Sequence, residues 1–140
     1  MTRFAVCPAR LHKHYHFSEV LDDKQGETIH IHHIFPQNEF PTIKAYKENL
    51  IALTAGQHLE YAHPKGNTHI TDVMYQSVCL KMKSVSIQKS LKAGELIYSK
   101  PNFIFVINTG FKWLKTSNEI NQSDDFDIID EKIASYYKMS

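Results

Sequence analysis

The chain has 140 residues, 42% hydrophobic and 22% charged, with a formal net charge of +1 at pH 7. That length suits one domain around one core, and the apolar fraction argues against global disorder. No apolar run approaches the roughly 18 residues of a membrane span, and the N-terminus lacks a signal peptide's apolar region, so the expectation is an intracellular, cytoplasmic protein without membrane partners.

In chain order, Leu11–Phe17 (LHKHYHF) echoes Ile29–Phe35 (IHIHHIF), which places His12, His14 and His16 in a segment patterned like a later strand. Cys7 and Cys79 form no CxxC pair, so neither a disulfide framework nor a cysteine zinc site is expected. Residues 18–27 read as a polar loop ending in a turn at Gly26. Thr28–Phe35 is rich in β-branched residues and reads as a strand, Pro36 and Pro41 bracket a loop, and Asn49–Leu53 is a second short strand. Thr54-Ala-Gly-Gln57 fits a capping box, so a helix starts there and runs to about Ala62, stopped by Pro64 and Gly66.

Helical spacing returns at Ile70, Val73, Met74, Ser77 and Val78, which predicts a helix from Thr71 or Asp72 that extends with breaks to Leu91. Ser99 with Pro101 starts another, Gly110 ends it, and its core face is Phe103, Ile104, Val106 and Ile107. Ser123–Asp130 is acidic, and Ile133–Tyr137 forms either a last helix or a loosely docked tail.

Charge is unevenly spread. Residues 1–118 hold 14 Lys/Arg and 9 Asp/Glu, a net of +5, whereas residues 119–140 hold 2 and 6, a net of −4. Between Lys81 and Lys115 there are seven lysines and one acid, Glu95, which is either a solvated helix face or a surface for a polyanion. The 9 histidines are the other excess, and their density points to metal binding or acid–base work near neutral pH.

Three segments stand in an informative order. A strand ends in His32-His33-Ile-Phe-Pro; Asn49 follows His33 by 16 residues and opens Asn-Leu-Ile-Ala-Leu-Thr; His58 follows Asn49 by nine, inside the capped helix. Over about Thr28–Gly66 this pattern resembles the HNH (ββα-metal) endonuclease family, in its HH-I-x-P and N-L-x-x-L-T-x-x-x-H motifs. The tract Gln57–Pro64 (QHLEYAHP) resembles the helix end of HNH proteins from phage and restriction systems. The resemblance implies an α+β protein with a ββα-metal core at about 28–66. A helical scaffold and DNA-contacting region would follow at about 67–118, then an acidic tail at about 119–140. It implies His32 and His58 as metal ligands, His33 as general base and Asn49 as the asparagine that holds the loop.

The chemistry suits those residue types. A neutral imidazole with a pKa near 6.5 can take a proton from water, one divalent cation can polarise a phosphate and hold the leaving oxygen, and an amide can bridge backbone groups. Adjacent strand residues point to opposite faces, so His32 and His33 share one site only if the strand end kinks. His30 alternates with His32 and is read as exposed, phosphate-facing or, less simply, catalytic. His63 is a further candidate ligand. Its five-residue step from His58 turns an α-helix by about 500°, roughly 140° off the His58 face, which favours a two-ligand site.

Two imidazoles without a carboxylate favour Zn, Ni, Co or Mn over Mg, although Mg is the abundant ion; one divalent metal is expected and its identity is open. Lys81, Lys83, Lys89 and Lys92 are the expected DNA contacts. The expected function is endonucleolytic hydrolysis of DNA in restriction or phage homing, leaving 5′ phosphate and 3′ hydroxyl. A restriction role would favour a homodimer, since two-fold symmetry matches palindromic sites. The alternatives are a non-specific, toxin-like nuclease of the same fold and a non-catalytic nucleic-acid-binding module with a structural metal.

Overall fold

The computed structural model describes residues 18–20, 29–62 and 72–138, with backbone alone at 59–61. It is an α+β arrangement: two antiparallel strands, β1 (Ile29–His33) and β2 (Leu50–Thr54), precede three helices, α1 (Val73–Lys92), α2 (Lys100–Gly110) and α3 (Phe126–Lys138). The register pairs Ile29 with Thr54 and His33 with Leu50. Every residue of β2 is buried, which fits its unbroken apolar run Leu-Ile-Ala-Leu.

The free edge of β2 is closed by the N-terminal segment. The Glu19 amide donates to the Ala52 carbonyl at 2.9 Å, and the Ala52 amide donates to Glu19 Oε2 at 2.8 Å. Ser18, Glu19 and Val20, the described part of the polar loop read from the sequence, are therefore buried, and the Glu19 side chain serves the sheet edge.

Glu19 also corrects one lysine. Lys83 is completely buried, its Nζ 2.8 Å from Glu19 Oε1 and donating to the Tyr98 hydroxyl at 2.9 Å. It points inward from α1 and cannot reach a DNA phosphate. A buried ammonium needs such partners, and Ser86, which also donates to Glu19 Oε1 at 2.7 Å, completes the cluster. Cys79 lies nearby as a buried free thiol whose pKa is pushed far up, first by burial and then by the Glu19 charge, so it is unreactive.

α1 is continuous over its 20 residues, without the expected breaks. Asp72 caps it, accepting from the Tyr75 amide at 2.8 Å. Of the residues that announced the helix, Val73 is 52% and Met74 69% exposed, whereas Ser77 is buried on the inward face with Leu80, Lys83, Ser84 and Ile87. Small polar residues let another helix approach closely, and α3 packs there. Ser84 donates to Asp130, and the Tyr137 hydroxyl donates to Gln76 Oε1 at 2.6 Å. The acidic C-terminal stretch is thus a packed helix, with Ile129, Ile133 and Tyr137 buried, and not a tail.

α2 starts as its sequence indicates, with Ser99 accepting from the Asn102 amide and Pro101 in the first turn, and Phe103, Ile104, Val106 and Ile107 are buried. Gly110 is its last residue, and its importance is contact: a Cβ there would collide with the Phe35 ring. The end of α2 is thereby pressed onto the loop that follows β1. Among the described residues no helix is long and apolar enough to cross a membrane.

Candidate active site

The loop from Ile34 to Glu48 is organised by one side chain. Asn49 is completely buried; its Oδ1 accepts the Phe35 amide at 2.8 Å, and its Nδ2 donates to the carbonyls of Phe35 (3.1 Å) and Ile43 (3.3 Å). The Ile34 amide donates to the Asn49 carbonyl at 2.8 Å. Two short 3₁₀ turns, Pro41–Ile43 and Lys47–Asn49, bring the chain round to this amide. Asn49→Ala should lower stability by about 1–3 kcal/mol, because buried backbone groups lose their partners. An unchanged melting temperature would show that the loop does not depend on the amide.

Gln76 secures the same loop from α1, its Nε2 donating to the Ile34 carbonyl at 3.0 Å. At the far end of β2 the capping box forms: the Gln57 amide donates to Thr54 Oγ1 at 3.1 Å, and the Thr54 amide donates to Gln57 Oε1 at 2.8 Å. Gln57 Nε2 also reaches the Val20 carbonyl at 2.7 Å, so the segment carrying His58 is fixed to both β2 and the N-terminal strap.

Three imidazoles meet here. His30 and His32 lie on the same face of β1, as the two-residue alternation requires, and the ring of His58 meets both. Its centroid is 5.3 Å from that of His30 and 5.1 Å from that of His32, both edge-on. His30 Nδ1 and His58 Nδ1 are 3.1 Å apart. His32 is buried, whereas His30 and His58 are half-buried.

His33 stands apart from this group. β1 keeps its register through His33, so the condition for a site shared with His32, a kinked strand end, is not met and the His33 side chain leaves the other face. His33 Nε2 is 3.1 Å from the Lys44 carbonyl. A carbonyl only accepts, so Nε2 carries the proton and Nδ1 presents the lone pair. Burial holds the His33 pKa below its ordinary 6.5; the carbonyl bond works the other way, and the Lys44 charge adds to the lowering. The ring is therefore neutral at pH 7, the state a proton acceptor needs.

The segment Gln57–Ala62 is π-helical, not α-helical. His63 lies outside the described residues, as do His12, His14, His16 and His69. Among the described residues no group of three or more His, Cys, Asp or Glu forms a ready-made metal cage.

Of the remaining lysines, Lys81, Lys89 and Lys92 are exposed on α1. Lys81 and Lys92 are 11 residues apart, close to three helical turns, and Lys89 lies about 80° round from Lys81, so the three share one side. Sequence reasoning gave His30 a minor part, although its alternation with His32 was the available signal. The Lys44 carbonyl has no sequence signal, because a backbone atom carries none. Comparison with family models, curated proteins and solved structures returned no match.

Proposed function

We propose that the chain is a metal-dependent endonuclease of the HNH type, with a ββα-metal core, that hydrolyses DNA phosphodiester bonds. What supports this reading is that His58 meets His32, while His33, the next residue of the strand, leads into a loop whose first two residues are fixed by Gln76 and Asn49.

His33 Nδ1 takes the proton from the attacking water, and the Lys44 carbonyl holds the ring in the tautomer that leaves Nδ1 open. His32 and His58 are the proposed ligands, with His63 as a third candidate. A divalent ion bound there supplies charge neutralisation at the phosphate and stabilises the leaving 3′ oxygen. Asn49 and Gln76 are positioning residues; neither touches the reacting atoms.

Plasmid nicking by the purified chain, with Mg, Mn, Zn or Ni against a chelator control, tests the reading. Metal-dependent nicking is expected. Metal-dependent DNA binding with no cleavage under any ion would replace the nuclease with a binding module. Sequencing the ends cut from a mixed DNA library separates a restriction or homing enzyme from a non-specific one.

The exposed face of α1 is the proposed surface for the DNA backbone. Lys89→Gln with Lys92→Gln should weaken DNA binding and flatten its dependence on salt, by about 0.9 in slope for each phosphate that is no longer neutralised. A slope equal to the wild type would remove this face from the interface.

A further inference from the structure

We infer that His30 is a metal ligand, sharing the ion with His58 through their two Nδ1 atoms. The inference rests on the metal-dependent reading above and changes its ligand set, which the sequence pattern had drawn from His32 and His58.

The distance between the two nitrogens carries the assignment. Imidazole nitrogens bind zinc at about 2.0–2.1 Å, so two of them at tetrahedral to octahedral angles lie about 2.9–3.4 Å apart. His30 Nδ1 and His58 Nδ1 are 3.1 Å apart, inside that range. In the metal-free chain, the same spacing is a hydrogen bond in which one Nδ1 carries a proton and the other accepts it. With an ion bound, both nitrogens present lone pairs and the proton moves to Nε2 or to solvent, so the pair serves as lock and ligand in turn.

The supporting structure is firm on both sides. His30 is held in the β1–β2 ladder opposite Leu53, and His58 follows a residue bonded to Thr54 and Val20. Both rings are half-buried, which leaves room for phosphate oxygen and water to complete the coordination. Two imidazoles and open positions favour the borderline ions, Zn, Ni, Co or Mn. His32, edge-on to His58, is the neighbouring imidazole.

Isothermal titration of the full chain with zinc and with manganese tests the assignment, using wild type, His30→Ala, His30→Gln and His58→Ala. Gln can still hydrogen-bond to His58 but offers no imidazole nitrogen. Both His30 variants are expected to lose affinity at least as severely as loss of an outer-shell partner would, about 10–100-fold. His30→Gln should do so with its melting temperature retained. Zinc affinity within twofold of wild type in both variants would show that the pair is only a hydrogen bond, as would a wild-type chain that binds neither ion.

Should the variants fail to fold, imidazole nitrogen NMR of the isotope-labelled wild type decides: zinc must shift His30 Nδ1, and an unmoved signal overturns the assignment. The nuclease reading fails separately. A wild type that binds zinc through His30 but nicks no plasmid leaves this inference standing, and one that nicks while His30 variants bind metal normally removes it.

Discussion

His33→Ala is expected to lower cleavage at saturating metal by about 10²–10⁴-fold, the usual loss when a positioned base is removed. Metal affinity should stay near wild type, because the ring bonds to the Lys44 carbonyl and not to the imidazole group around His58. Stability should fall by only about 1 kcal/mol, the net value of one hydrogen bond. A variant that keeps more than roughly a tenth of the rate would place the base elsewhere.

The pH dependence follows from the same ring. Its pKa in the folded chain lies below 6.5, so the proton-accepting form survives into mild acid, and the acid limb of log kcat/KM attributable to His33 should bend below pH 6.5. Stability has a matching sign. Between the lowered folded value and 6.5 the unfolded chain binds more protons, so His33 makes stability rise with pH across that window and adds no slope above it.

Lys83→Ala carries the largest expected effect on stability, about 3–5 kcal/mol, because it leaves the Glu19 carboxylate buried without its cation. The melting temperature should drop by roughly 10 °C or more. Pairing Lys83→Met with Glu19→Gln should recover much of that loss, since the buried charges are removed together. The salt dependence of DNA binding should stay as in the wild type. A variant that melted normally but bound DNA with a flatter salt slope would mean that the ammonium is at the surface after all.

The contrast between Lys83 and Lys89 shows what the sequence could and could not convey. Both sit in the same lysine-rich helix, and charge alone made them equivalent. What separates them is Glu19, a residue that reads as part of a polar loop and becomes visible as a partner only when the chain closes over the edge of β2. Signals that act within a few residues were legible: the Thr54–Gln57 box, the Ser99 cap with Pro101, and the apolar face of α2 all appear where the residues indicated.

Signals that depend on packing were not. The spacing of Val73, Met74, Ser77 and Val78 announced a helix correctly, but only Ser77 of these four is buried, and α3 is joined to the helix through Ser84 and Gln76. The π pitch after Gln57 likewise left no trace in residue type. In the site, strand alternation left a shared pocket for His32 and His33 conditional on a kink; the ladder runs regularly through His33, and His30 lies beside His58.

The Tyr137–Gln76–Ile34 chain of bonds has a consequence for synthesis. Ribosomes make proteins from the N-terminus, so β1, β2 and the loop after His33 emerge well before α3. The Gln76 amide that holds the Ile34 carbonyl is itself oriented by the Tyr137 hydroxyl, 61 residues further along the chain. A nascent chain halted before residue 137 therefore carries all the histidines but lacks the last bond of the relay. The loop after His33 is thus translated well before the residue that completes its brace.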